Sequence, residues 1–150
     1  MDFRVSREAF LKVLTHVSSI VDSRSTIPIL SNIYLKCENN QIEIRSTDMD
    51  ISIREFVSCD STKNGEATVN SRILTDIIRK TKKNSIVKCK LEGNRLIINS
   101  DNSVFELNAL SADEFPKFVP LDPTNSFDLT IPQMKRLFNK TKFAISAEET

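Results

Sequence analysis

The sequence predicts an α+β fold built from two β-α-β-β-β units, each placing one helix on antiparallel sheet. Two observations carry this reading. A strand–cap–helix pattern recurs three times, as FRVSREAFLKVL from Phe3, ATVNSRILTDII from Ala67 and FDLTIPQMKRLF from Phe127. The stretches after the first two copies alternate polar and apolar residues in short runs separated by turn residues. With Val5, Val69 and Leu129 aligned, the copies lie 64 and 60 residues apart. A repeat of that length implies one supersecondary unit per copy.

Each copy has the same logic. Ser6, Asn70 and Thr130 stand where a helix N-cap is needed. Phe10, Leu74 and Met134 follow four residues later, and Val13/Leu14, Ile77/Ile78 and Leu137/Phe138 complete one apolar stripe. Phe3–Val5 therefore reads as a strand and the residues after Ser6 as a helix reaching Val17–Ile20. Arg24–Pro28 is a connector, because proline cannot sit inside a helix. Ile29–Cys37 reads as a strand, then Gln41–Ser46 and Ile51–Val57, with turns at 38–40 and Asp48–Asp50. Asp60–Gly65 reads as a loop. The second unit adds a strand at Ala67–Val69, its helix, and strands at Ile86–Leu91, Arg95–Asn99 and Val104–Ala109. Leu110–Asn125, with Pro116, Pro120 and Pro123, reads as an extended linker. The third copy has a strand at Phe127–Leu129 and a helix but no following strands, so the chain reads as ending inside a third unit. The domains are drawn at 1–122 and 123–150.

Charge is segregated by element. Residues 72–83 carry five bases against one acid, and residues 132–143 carry four bases and no acid. Residues 38–66 hold seven acids against three bases, so a net charge of +1 hides basic helices and acidic strands. At 100° per residue the face opposite the stripe of the first helix carries Glu8, Lys12, Thr15 and Ser19. On the second helix that face carries Arg72, Asp76, Arg79 and Lys83, and on the third Arg136 and Asn139, flanked by Lys140. Ile73 falls beside the buried stripe. One basic face on a near-neutral protein suits a polyanion.

Enzyme chemistry finds no support. The two glycines sit in turns, so no glycine-rich phosphate loop can form. His16 is the single histidine and reads as a surface residue, and Asp48 and Asp50 read as turn residues. No metal-ligand spacing occurs and no cofactor is expected. Cys37, Cys59 and Cys89 are odd in number and far apart, which reads as reduced thiols in a cytoplasmic protein. No apolar run is long enough to span a membrane.

The N-terminal FRVSREAFLKVLTHVSSIV, Arg24-Ser-Thr-Ile-Pro-Ile-Leu-Ser-Asn32, Thr47-Asp48, Leu91-Glu-Gly-Asn-Arg95, Asp113-Glu-Phe-Pro116 and Phe143-Ala-Ile-Ser146 resemble, in order and spacing, the bacterial sliding clamps, the beta subunits of DNA polymerase III. The resemblance implies the DNA-clamp fold, in which helices line a ring around duplex DNA and sheets form the outer wall. It implies a non-catalytic processivity factor, nucleoid-associated in the cytoplasm, that joins a second subunit head to tail as a homodimer. The polymerase III catalytic subunit and the clamp loader would dock at a pocket mostly beyond these residues. By the same resemblance Arg24, Arg72 and Arg79 are DNA contacts, with Lys80, Lys83, Lys12, Arg136 and Lys140 as further basic positions. Phe105 and Leu107 would lie on an edge strand that meets the other subunit, with Phe105 turned toward that partner and Ile73 beside it. The alternative is a β-rich protein-interaction scaffold that binds no DNA.

Overall fold

The computed structural model describes residues 1–21, 26–117 and 126–145. The chain divides into two units, Met1–Phe118 and Val119–Thr150. The domain boundary expected at residue 122 lies outside the described residues.

The first unit runs β1 (Asp2–Ser6), α1 (Arg7–Val17), β2 (Asn32–Glu38), β3 (Gln41–Thr47), β4 (Ser52–Ser58), β5 (Asp60–Lys63), β6 (Gly65–Asn70), α2 (Ser71–Lys80), β7 (Ile86–Glu92), β8 (Arg95–Ser100) and β9 (Ser103–Leu110). Among the described residues, the second unit holds α3 (Ile131–Thr141) and a short 3-10 turn, Lys142–Ala144.

Most elements fall where the periodicity puts them, and the departures have physical causes. The strand expected from Ile29 begins at Asn32, because Pro28–Ser31 form a 3-10 turn closed by the Leu30 amide donating to the Ile27 carbonyl at 3.1 Å. The expected loop at 60–65 is instead β5, recruited by pairing with β1. Its side chains are mostly exposed, so it shows no apolar alternation to read. Residues 127–129 form no strand, since no other strand lies among the described residues of that unit to pair with. Ser6 does occupy the N-cap of α1 but makes no side-chain cap hydrogen bond, whereas Asn70 accepts from the Ile73 amide at 3.0 Å and Thr130 forms a capping box with Gln133. The expected linker after β9 opens with a 3-10 turn, Ala112–Glu114, which seats Phe115 against the Tyr34 ring with centroids 5.8 Å apart.

The two expected sheets are continuous. All strand pairs are antiparallel, in the order β4-β3-β2-β6-β9-β8-β7-β1-β5. Only Thr68↔Leu110 and Val69↔Ala109 join the halves. Each repeat donates its first strand to the other: β1 pairs with β7, and β6 pairs with β2. The outermost strands, β4 and β5, are separated in the chain by Cys59 alone, so the sheet curls until its ends meet there. Asn40 fastens this closure. Its carbonyl accepts from the Cys59 amide at 2.9 Å and its Oδ1 from the Ser61 amide at 3.0 Å. Asn39 and Asn40 make the two-residue turn with φ of 51° and 58°, a conformation asparagine tolerates. Gly65 is fixed by close approach, as a Cβ there would lie 2.9 Å from the Met1 nitrogen.

The core fills the space between sheet and helices. Phe3, Phe10, Leu14, Leu74, Ile78, Leu96 and Ile98 are fully buried, and the Phe3 and Phe10 rings meet edge to face at 6.2 Å.

Candidate nucleic-acid interface

The apolar stripes of α1 and α2 hold both helices against the sheet and force their remaining residues outward. Phe10, Val13, Leu14 and Val17 are buried on α1, and Leu74 and Ile78 on α2. The two helices lie antiparallel, tied at both ends. At one end the Arg7 guanidinium donates from Nε to the Ile78 carbonyl at 3.2 Å and from Nη2 to the Arg79 carbonyl at 2.7 Å. A cation there satisfies the last carbonyls of α2 and complements the negative end of its dipole. At the other end the Ser18 hydroxyl lies 2.7 Å from that of Ser71 and 3.0 Å from that of Thr75. Arg7 is buried, at 9% exposure. Reading the sequence missed it, although its place three residues before Phe10 puts it on the buried stripe.

This clamp presents a basic layer. Lys12 on α1 and Arg72, Arg79 and Lys80 on α2 are exposed. Lys83 is exposed too, but α2 ends at Lys80, so it stands in the following turn rather than on the helix face. Arg79 is bound to Asp76 at 2.7 Å. Lys12, Arg72, Lys80 and Lys83 have no ion-pair partner among the described residues. The strands differ: Lys36 pairs with Glu38 at 2.8 Å, Arg45 with Glu43 at 2.6 Å and Arg95 with Glu106 at 2.8 Å. Lys88 and Lys90 are likewise committed, to Asp2 and Glu92, while Arg4 and Lys63 are the strand cations without such a partner among the described residues. Beside the α2 N-terminus an open cleft of about 750 Å³ is lined by Ser18, Ser31, Asn70, Arg72, Asp76 and Arg79 among others. Arg24 lies outside the described residues. In the second unit, Arg136 and Lys140 on α3 are exposed and, among the described residues, unpaired.

The remaining candidates divide. His16 is exposed and hydrogen-bonds Glu55. Asp48 is a turn residue, its Oδ1 accepting from the amides of Asp50 and Ile51 at 3.0 and 2.7 Å. Ile73 is exposed at 52%. β9 pairs with β8 along its length but meets β6 only at Ala109 and Leu110, so the backbone edge of Ser103–Asn108 is open. Its side chains correct one expectation. Leu107 is buried at 6%, and Phe105 is half-buried against the core rather than turned outward. Inward-facing apolar side chains on an open edge leave backbone groups, not Phe105, as the available contact. Among the described residues no three His, Cys, Asp or Glu side chains cluster as metal ligands, and no helix is long and apolar enough to cross a membrane.

A family profile described as DNA polymerase III beta subunit, N-terminal domain, matches residues 1–119. The beta sliding clamp of Caulobacter vibrioides is 36% identical over 152 residues, which cover 100% of this chain and 41% of that protein. That of Pseudomonas aeruginosa is 31% identical over 150 residues, covering 99% of this chain and 41% of that protein. Among solved structures, the Caulobacter crescentus pol III beta superposes with a TM-score of 0.95 at 35% identity, over 100% of this chain and 40% of that one. A griselimycin-bound sliding clamp, DNA polymerase III subunit beta, from Pseudomonas aeruginosa gives 0.94 at 30% identity, covering 100% of this chain and 41% of that one. The chain thus spans about two fifths of the length of the relatives it matches.

Proposed function

Since the chain belongs to the family of the DNA polymerase III beta subunit, N-terminal domain, we propose that it serves in a DNA sliding clamp: a non-catalytic processivity factor of replication that encircles duplex DNA and tethers the replicative polymerase. The observation that carries this is the split in cation pairing. Strand cations are mostly neutralised by neighbouring carboxylates, while Lys12, Arg72, Lys80 and Lys83 have no ion-pair partner among the described residues. Unpaired, solvated cations on and just after these helices attract phosphates and carry no geometry that distinguishes one base from another, so the protein slides. Arg79 joins them once Asp76 yields it, and Arg24, Arg136 and Lys140 extend the basic set.

The open edge of β9 is where a second subunit adds, head to tail, as a homodimer ring, with Phe105, Leu107 and Ile73 supporting that strand and its surroundings. The polymerase III catalytic subunit and the clamp loader are the protein partners, and the setting is the cytoplasm, at the nucleoid. Residues 1–122 act as one clamp domain and 123–150 as the start of the next.

Fluorescence anisotropy with labelled duplexes of unrelated sequence tests the reading. Arg72→Ala and Lys80→Ala weaken binding alike for every duplex, and the slope of log K against log salt falls by about 0.9 for each phosphate contact removed. A sequence preference, or binding indifferent to both substitutions, overturns it in favour of a scaffold without DNA contact.

A further inference from the structure

Two of the three buried cysteines lie side by side where the sheet closes. The Cys37 and Cys59 Sγ atoms are 3.9 Å apart, although 22 residues separate them in sequence. Cys37 comes from β2 and Cys59 is the single residue between β4 and β5. We propose that Cys37 and Cys59 form a thiol-oxidation site that closes reversibly to an intramolecular disulfide on reaction with a low-molecular-weight disulfide.

Bonding requires the sulfurs to close from 3.9 Å to about 2.0 Å. Access comes from β5. That strand has one neighbour, β1, its register slips between Asp2 and Phe3, and most of its side chains are exposed. As a short edge strand it opens locally once the Asn40 contacts to the Cys59 and Ser61 amides break. Opening bares Cys59, which is 8% exposed in the closed fold, before Cys37, at 0%. Cys59 then attacks one sulfur of the small disulfide, forming a mixed disulfide and releasing one small thiol. Cys37 attacks the Cys59 sulfur, forming the protein disulfide and releasing the second small thiol. The protein loses two protons and two electrons, and the small disulfide gains both. Burial pushes the Cys59 thiol up to about 12 and raises Cys37 as well, which keeps both protonated and quiet while the fold is closed. Cys89 also is fully buried, but on β7, which is hydrogen-bonded on both sides by β1 and β8, so no edge opening reaches it.

The test incubates the chain with oxidised and reduced glutathione at graded ratios, quenches with acid, alkylates free thiols and maps peptides by mass spectrometry. The expected product links Cys37 to Cys59, is lighter than the reduced chain by two hydrogens, leaves Cys89 alkylated, and reverts with excess reduced glutathione. Cys89→Ser retains the link. The same ratios applied to the urea-unfolded chain show that the reagent is competent. Three reduced thiols under those ratios, glutathione adducts without the link, or pairing that includes Cys89 each overturn the proposal.

Discussion

Arg7 shows how one side chain can set the geometry of a whole face. It donates to the Ile78 carbonyl, which the Thr81 hydroxyl also reaches at 2.8 Å, and to the Arg79 carbonyl. Arg7→Ala leaves those carbonyls without that donor and removes packing, at an expected loss of about 2–3 kcal/mol in urea unfolding. Arg7→Lys restores part of this, because an ammonium reaches one carbonyl but not two with forked geometry. The residue was legible only indirectly: its type says surface, while its spacing from Phe10 says interior, and here spacing wins. Under the proposed DNA-binding role, Asp76 acts in the opposite sense. It holds Arg79 at 2.7 Å and adds a negative charge to a basic layer. Asp76→Asn frees the guanidinium and removes that charge, so duplex affinity rises in the same anisotropy assay, most at low salt. An unchanged or lower affinity means that this layer does not meet phosphate.

At the scale of elements, β9 shows what alternation can and cannot reveal. The strand was readable from Val104 to Ala109, yet a period of two fixes only that neighbours face opposite ways, not which face is inside. The structure decides: Leu107 and Ala109 are buried, and Val104 is 63% exposed. Leu107→Ala is therefore expected to cost about 3 kcal/mol, while Val104→Lys changes stability by less than about 0.5 kcal/mol. Paired thermal or urea melts check both, and equal losses would place Val104 inside. The helices were the clearest elements in the sequence, since stripe and cap agree for α2, although its end at Lys80 was not marked and Lys83 was read as helical. β5 was the least clear, because a short exposed strand made by pairing carries no pattern of its own.

For the whole molecule, the repeat was visible and its assembly was not. Three aligned copies revealed the unit, but nothing in the residues says that β1 completes the sheet of the second copy and β6 that of the first. Pairing partners are a property of the folded pair, and each sequence copy looks self-sufficient. This exchange makes the copies interdependent. Residues 1–64 and 65–117, expressed separately, are expected to stay unfolded alone and to recover native circular dichroism when mixed; a cooperative melt from either piece alone refutes the interdependence. The same exchange imposes a schedule on synthesis. Asp2 through Ser6 are translated before their β7 partners, Lys90 down to Ile86, which follow 80 to 88 residues later. Until then β5 can cover only one edge of the strand, and the edge that β7 takes must wait unpaired, which makes the nascent chain a natural client for a chaperone that shields apolar β segments.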